Sequence, residues 1–269
     1  MSSLIQRVRG RLQRSLAHHC HRRPVFISPR QPIISFTFDD FPRSALLEAG
    51  AMLRSFGWFG TYYASFGLMG RTAPTGEIFT ADDLPEFLQQ GHEMACHTFD
   101  HCHSWDTVPD EFDASITRNQ RAIAEYLPGV ELRTFSYPIN VPRPQTKKLV
   151  GRRYSCARGG GQTYNAGLGD LNLLSAFFIE QSRDHLDAIK RVIDQTVAAN
   201  GWLILATHDV ASSPTRFGCT PGLFRHIAQH VAASGAVVLP VWDALQSLPS
   251  IQNPSAPNAL SASNGERVG

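Results

Sequence analysis

A chain of 269 residues that is 42% hydrophobic and 18% charged has the make-up of one large globular domain, and an α/β barrel of about 250 residues is within its range. No apolar run approaches the ~20 residues that a membrane-crossing helix needs. The net charge of +2 divides unevenly: residues 1–38 hold seven arginines and no acid, leaving −5 for the rest, so the body is mildly acidic and no nucleic-acid partner is expected.

The basic arm, residues 1–31, opens with "MSSLIQRVRGRLQRSL", in which Leu4, Ile5, Val8, Leu12 and Leu16 recur at helical spacing between arginines. This reads as a short docked helix, a frayed terminus, or a helix lying on an anionic membrane through residues 1–23. The arginines break any continuous apolar core of a secretory signal. The expected location is cytoplasmic, with peripheral membrane contact as the alternative to a docked or frayed arm. His18, His19 and His21 beside Cys20 sit far from any acid and read as incidental. The five cysteines are odd in number, lack C-x-x-C spacing and argue for a reducing compartment.

From residue 32 to 248, short β-branched or aromatic runs alternate with helical patterns, the signature of βα units around a parallel sheet. Strands are expected at 33–38, 60–65, 92–96, 133–137, 153–157, 173–179, 202–207 and 236–240. Helices include "SALLEAGAMLRSFG", "TADDLPEFLQQG" with Thr80 as N-cap, "PDEFDASITRNQRAIAEYLPG" and "DHLDAIKRVIDQTVAANG". Several end in Gly, as helix C-termini do. Seven or eight such strands imply a (β/α) barrel, complete or distorted, with an open doubly wound sheet as the alternative. "RGGGQTYNAGLGD", with five glycines over 158–170, reads as a mobile loop or a close approach to a ligand. The tail 249–269 is rich in Ser, Asn, Ala and Pro and is expected to be disordered.

In parallel α/β architectures, residues just past the strands build the site. Asp39 and Asp40 follow the first strand; His97 and His101 follow the third; "PIN" follows the fourth; His208 and Asp209 follow the seventh. Two histidines four apart, with a carboxylate, make a divalent-metal site that leaves positions for water. If Asp40, His97 and His101 hold the metal, Asp39 is free to act as a general base, and His208 is placed to protonate a leaving group. His185, His226 and His230 read as surface or helix residues, and His92 as packed within its strand.

"TFDD" at 37–40, "HTFDH" at 97–101, "FSYPIN" at 135–140 and "LILATHD" at 203–209 resemble, in this order, the polysaccharide deacetylases of carbohydrate esterase family 4, the NodB homology family. The likeness spans roughly residues 32–245. It implies a distorted (β/α) barrel of seven or eight parallel strands and hydrolysis of N-acetyl, less often O-acetyl, groups on aminosugar glycans. It also implies Asp39 as base, His208 as acid, and one zinc, or alternatively cobalt or nickel, on Asp40, His97 and His101. The oxyanion is assigned to the backbone N–H of Tyr137, with Asn140 beside it.

Two departures stand out. The family's first motif continues with Gly where this chain has Phe41-Pro42, and its middle motif carries an arginine where this chain has Ser136-Tyr137. Arg158, ahead of Arg133, is the expected replacement partner of Asp39. Phe41, Trp105, Tyr137 and Tyr164 are candidates to stack on sugar rings. The expected substrate is an N-acetylated glycan or glycan precursor. The alternatives are a non-catalytic glycan-binding protein on the same scaffold, or a metal-dependent O-acetyl esterase or other amidohydrolase.

Overall fold

The computed structural model describes residues 2–252, with side chains described from residue 7 onward. Eight strands form one parallel sheet: β1 Ile33–Asp40, β2 Thr61–Ala64, β3 Glu93–Cys96, β4 Thr134–Ser136, β5 Cys156–Arg158, β6 Phe177–Phe178, β7 Trp202–Thr207 and β8 Val237–Val238. Seven run in the order β6-β7-β1-β2-β3-β4-β5, and β8 pairs with the start of β1. β1 is buried at all eight positions, so its polar residues are bonded inside the sheet: Thr37 Oγ1 donates to the Leu205 carbonyl and Ser35 Oγ accepts from Trp202 Nε1.

Two strands share one edge of β1. Val237 and Val238 pair with Ile33 and Ile34, while β2 pairs with Thr37 through Asp40. The far ends of the sheet are joined by an irregular segment: Ala157 N–H donates to the Leu171 carbonyl, and Gly159 N–H donates to that of Leu174. The result is a curled, distorted barrel. One core cluster, with Ile33, Trp202, Ile204 and Phe178, lies on one side of the sheet. Another, with Phe36, Phe38, Leu53 and Phe224, packs helices against the opposite side.

Helix starts follow local chemistry. Thr80 and Asp83 exchange side-chain and backbone bonds as a capping box ahead of the helix Leu84–Gln90, which ends on Gly91 at φ +76°. Pro109, Pro144 and Pro221 each open a helix, where a missing N–H costs nothing.

The end of the basic arm is built into the domain. Pro24–Ile27 pairs antiparallel with Gly167–Asp170, and Val25 and Ile27 are core residues. A Cβ on Gly169 would lie 2.5 Å from Ile27 Cδ1, so the glycine-rich stretch ends in a strand whose glycine makes room for the Ile27 side chain. The helix Ser2–His19 docks through buried Ala17, whose carbonyl accepts from Lys147 Nζ at 2.5 Å. Lys147 is fully buried and pairs with Asp170 at 2.6 Å. Asp170 also accepts from the N–H groups of Arg23 and Asn172. The tail expected at 249–269 begins as the short helix Pro249–Gln252; the rest lies outside the described residues. Among the described residues no helix is long and apolar enough to cross a membrane.

Candidate active site

Side chains on successive strand residues point to opposite faces, so adjacent acids would normally diverge. Here Asp40 and Phe41 take φ +63° and +59°, a left-handed turn at the end of β1, and both Asp39 and Asp40 line one cavity. Phe41 turns inward instead, stacking on Phe79 at 4.5 Å between ring centroids, and is fully buried.

After β3 the chain turns through Thr98 and His101, at φ +60° and +53°, with Cys102 N–H donating to Thr98 Oγ1. That turn brings the His97 and His101 rings to 5.0 Å. Asp40 Oδ1 lies 3.5 Å from His97 Nε2 and 3.2 Å from His101 Nε2. His97 Nδ1 lies 2.8 Å from the Ser136 carbonyl, which can only accept, so Nε2 carries the lone pair. Burial, only partly opposed by Asp39 and Asp40, pushes His97 down to about 4 and keeps it neutral. Asp40 Oδ2 accepts from Thr75 Oγ1 at 2.9 Å, whereas Oδ1 is buried without a hydrogen-bond partner.

The ligand atoms of Asp40, His97 and His101 all lie within 4.8 Å of one another. An orphaned carboxylate oxygen facing a neutral imidazole nitrogen is costly by itself and suits a divalent cation of the zinc class. The Ser136 carbonyl and Thr75 hydroxyl orient the donors from behind.

Arg158, at the end of β5, donates from Nη2 to Asp39 Oδ1. Its guanidinium is fully buried, 4.6 Å from the Tyr63 ring centroid and 5.6 Å from that of Phe178. Burial alone would raise the Asp39 carboxyl, but Arg158, with His97 and His208, more than offsets it and holds the group below the usual carboxylate range. Arg133 lies at the other end of β4, paired with Glu131 and stacked over Trp242.

His208 follows β7, half-buried, with Nδ1 lying 3.1 Å from the Phe217 carbonyl it can donate to, and its ring near those of Phe178 and Phe217. Asp209 is engaged elsewhere. That carboxylate accepts from the Thr215 N–H and hydroxyl, and so folds the following loop into a hoop that returns Arg216 and Phe217 to the cavity.

Some expectations need correcting. Tyr137 N–H donates to the Arg158 carbonyl at 3.0 Å, its hydroxyl donates to the Asn172 carbonyl, and its ring is core, so it offers nothing to an oxyanion or a sugar. Phe41, Trp105 and Tyr164 also stand outside the cavity lining, whereas Asn140 is part of it. Sequence reasoning missed Thr75, Phe178, Glu180 and Phe217, which all line the cavity of about 730 Å³. Glu180 is pushed up to about 8 by burial, with Asp39 adding to the effect, and its Oε2 has no partner. Glu180 could have been found by looking just past the end of the sixth strand, expected at 173–179, as for the first, third, fourth and seventh.

The family model for polysaccharide deacetylase matches residues 27–151. A search of curated protein sequences found no match. Among solved structures, the chain is similar to the chitin deacetylase of the fungal pathogen Colletotrichum lindemuthianum, at 13% identity and TM-score 0.60, covering 84% of this chain and 92% of that one. It is also similar to a family 4 carbohydrate esterase from Streptomyces lividans, at 19% identity and TM-score 0.54, covering 81% and 92%. A third similar structure is the family 4 pseudoenzyme BA3943 of Bacillus anthracis, at 12% identity and TM-score 0.56, covering 81% and 67%. The matched segment carries Asp39, Asp40, His97 and His101, and the curled parallel barrel is the fold shared with these solved structures, so in both respects the chain is similar to the polysaccharide deacetylases.

Proposed function

We propose that the protein is a metal-dependent hydrolase that removes N-acetyl groups from an aminosugar-containing glycan or glycan precursor. The observation that carries this reading is the convergence of Asp40, His97 and His101 beside an acid held ionised by a buried arginine. A divalent cation, zinc being favoured by the His₂-carboxylate set, would supply Lewis acidity toward the acetyl carbonyl and toward water.

The chain's own groups supply the proton transfers. Asp39 takes a proton from water as the oxygen adds to the acetyl carbon, and Arg158 fixes the orientation of its carboxylate. His208 gives a proton to the nitrogen as the C–N bond breaks, so acetate and a free amine leave. The Phe217 carbonyl orients its ring through Nδ1. Phe178 and Phe217 shield the site from bulk water and offer faces to a sugar ring.

The test is acetate release from N-acetylglucosamine oligomers by metal-stripped protein, then with zinc or cobalt restored, beside Asp39→Asn. Release that needs the metal and vanishes in the variant supports the reading. Because a pseudoenzyme shares this fold, glycan binding is measured separately; binding with no release by the metal-loaded protein would favour a non-catalytic glycan-binding role. Release from an acetylated xylan alone would favour the esterase.

We further propose that the N-terminal helix meets an anionic membrane surface. Val8 and Leu12 are 58% and 60% exposed, and Arg7, Arg11 and Arg14 beside them are also exposed.

A further inference from the structure

We infer that the cavity is a pit which admits the terminal N-acetylated sugar of a short glycan or a single aminosugar unit, not a groove along which a polymer lies. This rests on the deacetylase reading and specifies its substrate class.

The rim is joined at each turn. Thr72–Ala73 and Gly76–Glu77 form a hairpin whose tip, Pro74 and Thr75, lines the cavity. Its base is pinned by Phe41-Pro42: Pro42 bridges Ile78, Phe79 N–H donates to the Phe41 carbonyl, and the two phenyl rings stack. At the tip, a Cβ on Gly76 would lie 3.7 Å from Asp209 Cβ and 4.0 Å from Thr215 Cγ2, which is van der Waals contact. The hairpin tip therefore lies close against the hoop after β7.

The remaining junctions are also closed. Before the hairpin, Gly67 N–H donates to the Phe99 carbonyl, tying this side to the loop that carries His101. That loop is tied to the next by Arg143 N–H, which donates to Ser104 Oγ. The turn at Asn140 presses on Gly159, where a Cβ would overlap its carbonyl, and Gly160 lies beside both Asn140 and Phe178, near enough that an added Cβ would touch them. From Phe178 the wall passes to His208 through ring contact and so back to the hoop. Among the described residues each neighbouring pair of segments around the cavity is joined by one of these contacts, which leaves one way in and makes the sugar that reaches Asp39 and His208 an end.

The experiment uses the full-length, zinc-loaded protein with uniformly N-acetylated glucosamine oligomers of two to six sugars, read by mass-spectrometric sequencing of the products. The expected result is deacetylation of one terminal sugar only, with the same acetate per molecule for dimer and hexamer. Loss of internal acetyl groups, or acetate rising in proportion to length, would overturn the pit and leave the deacetylase reading intact. Should no acetate appear, saturation-transfer NMR on Asp39→Asn decides independently of turnover. Contacts confined to one terminal sugar support the pit, and contacts spread along the oligomer, or no contact with any, overturn it. Absence of acetate with terminal binding counts against the reaction and not the pocket's shape.

Discussion

Arg158 and Asp39 meet as a buried ion pair although 119 residues separate them, and the arginine comes from a strand end two neighbours away from any motif that contains an acid. The Arg158→Met variant removes a positive charge from beside a buried carboxylate. Loss of one partner of such a pair costs about 3–5 kcal/mol, to be read by urea unfolding. The sign for activity follows from the lowered Asp39 carboxyl: it stays ionised as pH falls below the ordinary carboxylate range. Without Arg158 its pKa rises, so the acid limb of the pH–kcat/KM profile moves to higher pH. An unmoved limb would refute the assignment.

His97→Ala is expected to abolish stoichiometric metal binding, measured by elemental analysis after dialysis. In the unsubstituted protein, metal at a hundred times its Kd should stabilise the fold by about 2.7 kcal/mol, and a chelator should remove that gain. In His97→Ala the chelator should leave the Tm unchanged.

His92 supplies an acid-sensitive element away from the site. Its Nδ1 accepts from Gly60 N–H, its Nε2 pairs with Gln90 Oε1, and burial pushes it down to about 4. The unfolded chain takes up a proton below the ordinary value near 6.5, while the folded state refuses it until about pH 4. Its contribution is thus present above pH 6.5 and is lost as pH falls to 4, by about 3 kcal/mol. Urea unfolding between those pH values should show this loss, and His92→Gln should flatten it.

Asp170→Ala leaves Lys147 buried without its counter-charge and frees three hydrogen-bond donors. A loss of about 3–5 kcal/mol is expected, with kcat unchanged at temperatures where the variant is folded.

Charge reversal at Arg7, Arg11 and Arg14 together should reduce sedimentation with vesicles containing phosphatidylserine and leave acetate release from soluble oligomers unaltered. Equal sedimentation of both proteins would remove the membrane contact.

The strand positions were legible because apolar runs bounded by turns report burial directly: β7 falls at 202–207 as expected, and β1 runs on from 33–38 to Asp40. Asp39, Asp40, His97 and His208 were legible because polar residues end those runs. The hairpin at 72–77 and the pair 24–27 with 167–170 were not. Their ladders are two and four residues long; the hairpin is pinned from a distance by Pro42 against Ile78, and the longer ladder joins segments far apart in sequence. Tyr137 misled because a strand-end N–H looks free in sequence, yet the neighbouring parallel strand consumes it. β5 lies at 156–158 rather than 153–157 because the preceding helix continues to Arg153.

The strand Pro24–Ile27 has a consequence for the order of assembly. Among the described residues it pairs only with 167–170, and its Phe26 carbonyl accepts from Ser250 at the other end of the described chain. During synthesis this segment emerges early and has no partner until the five strands β1–β5 have followed. Its docking is a long-range closure, which is slow in entropic terms. The N-terminal strand is therefore expected to be the last piece sewn onto the barrel and the first to come loose.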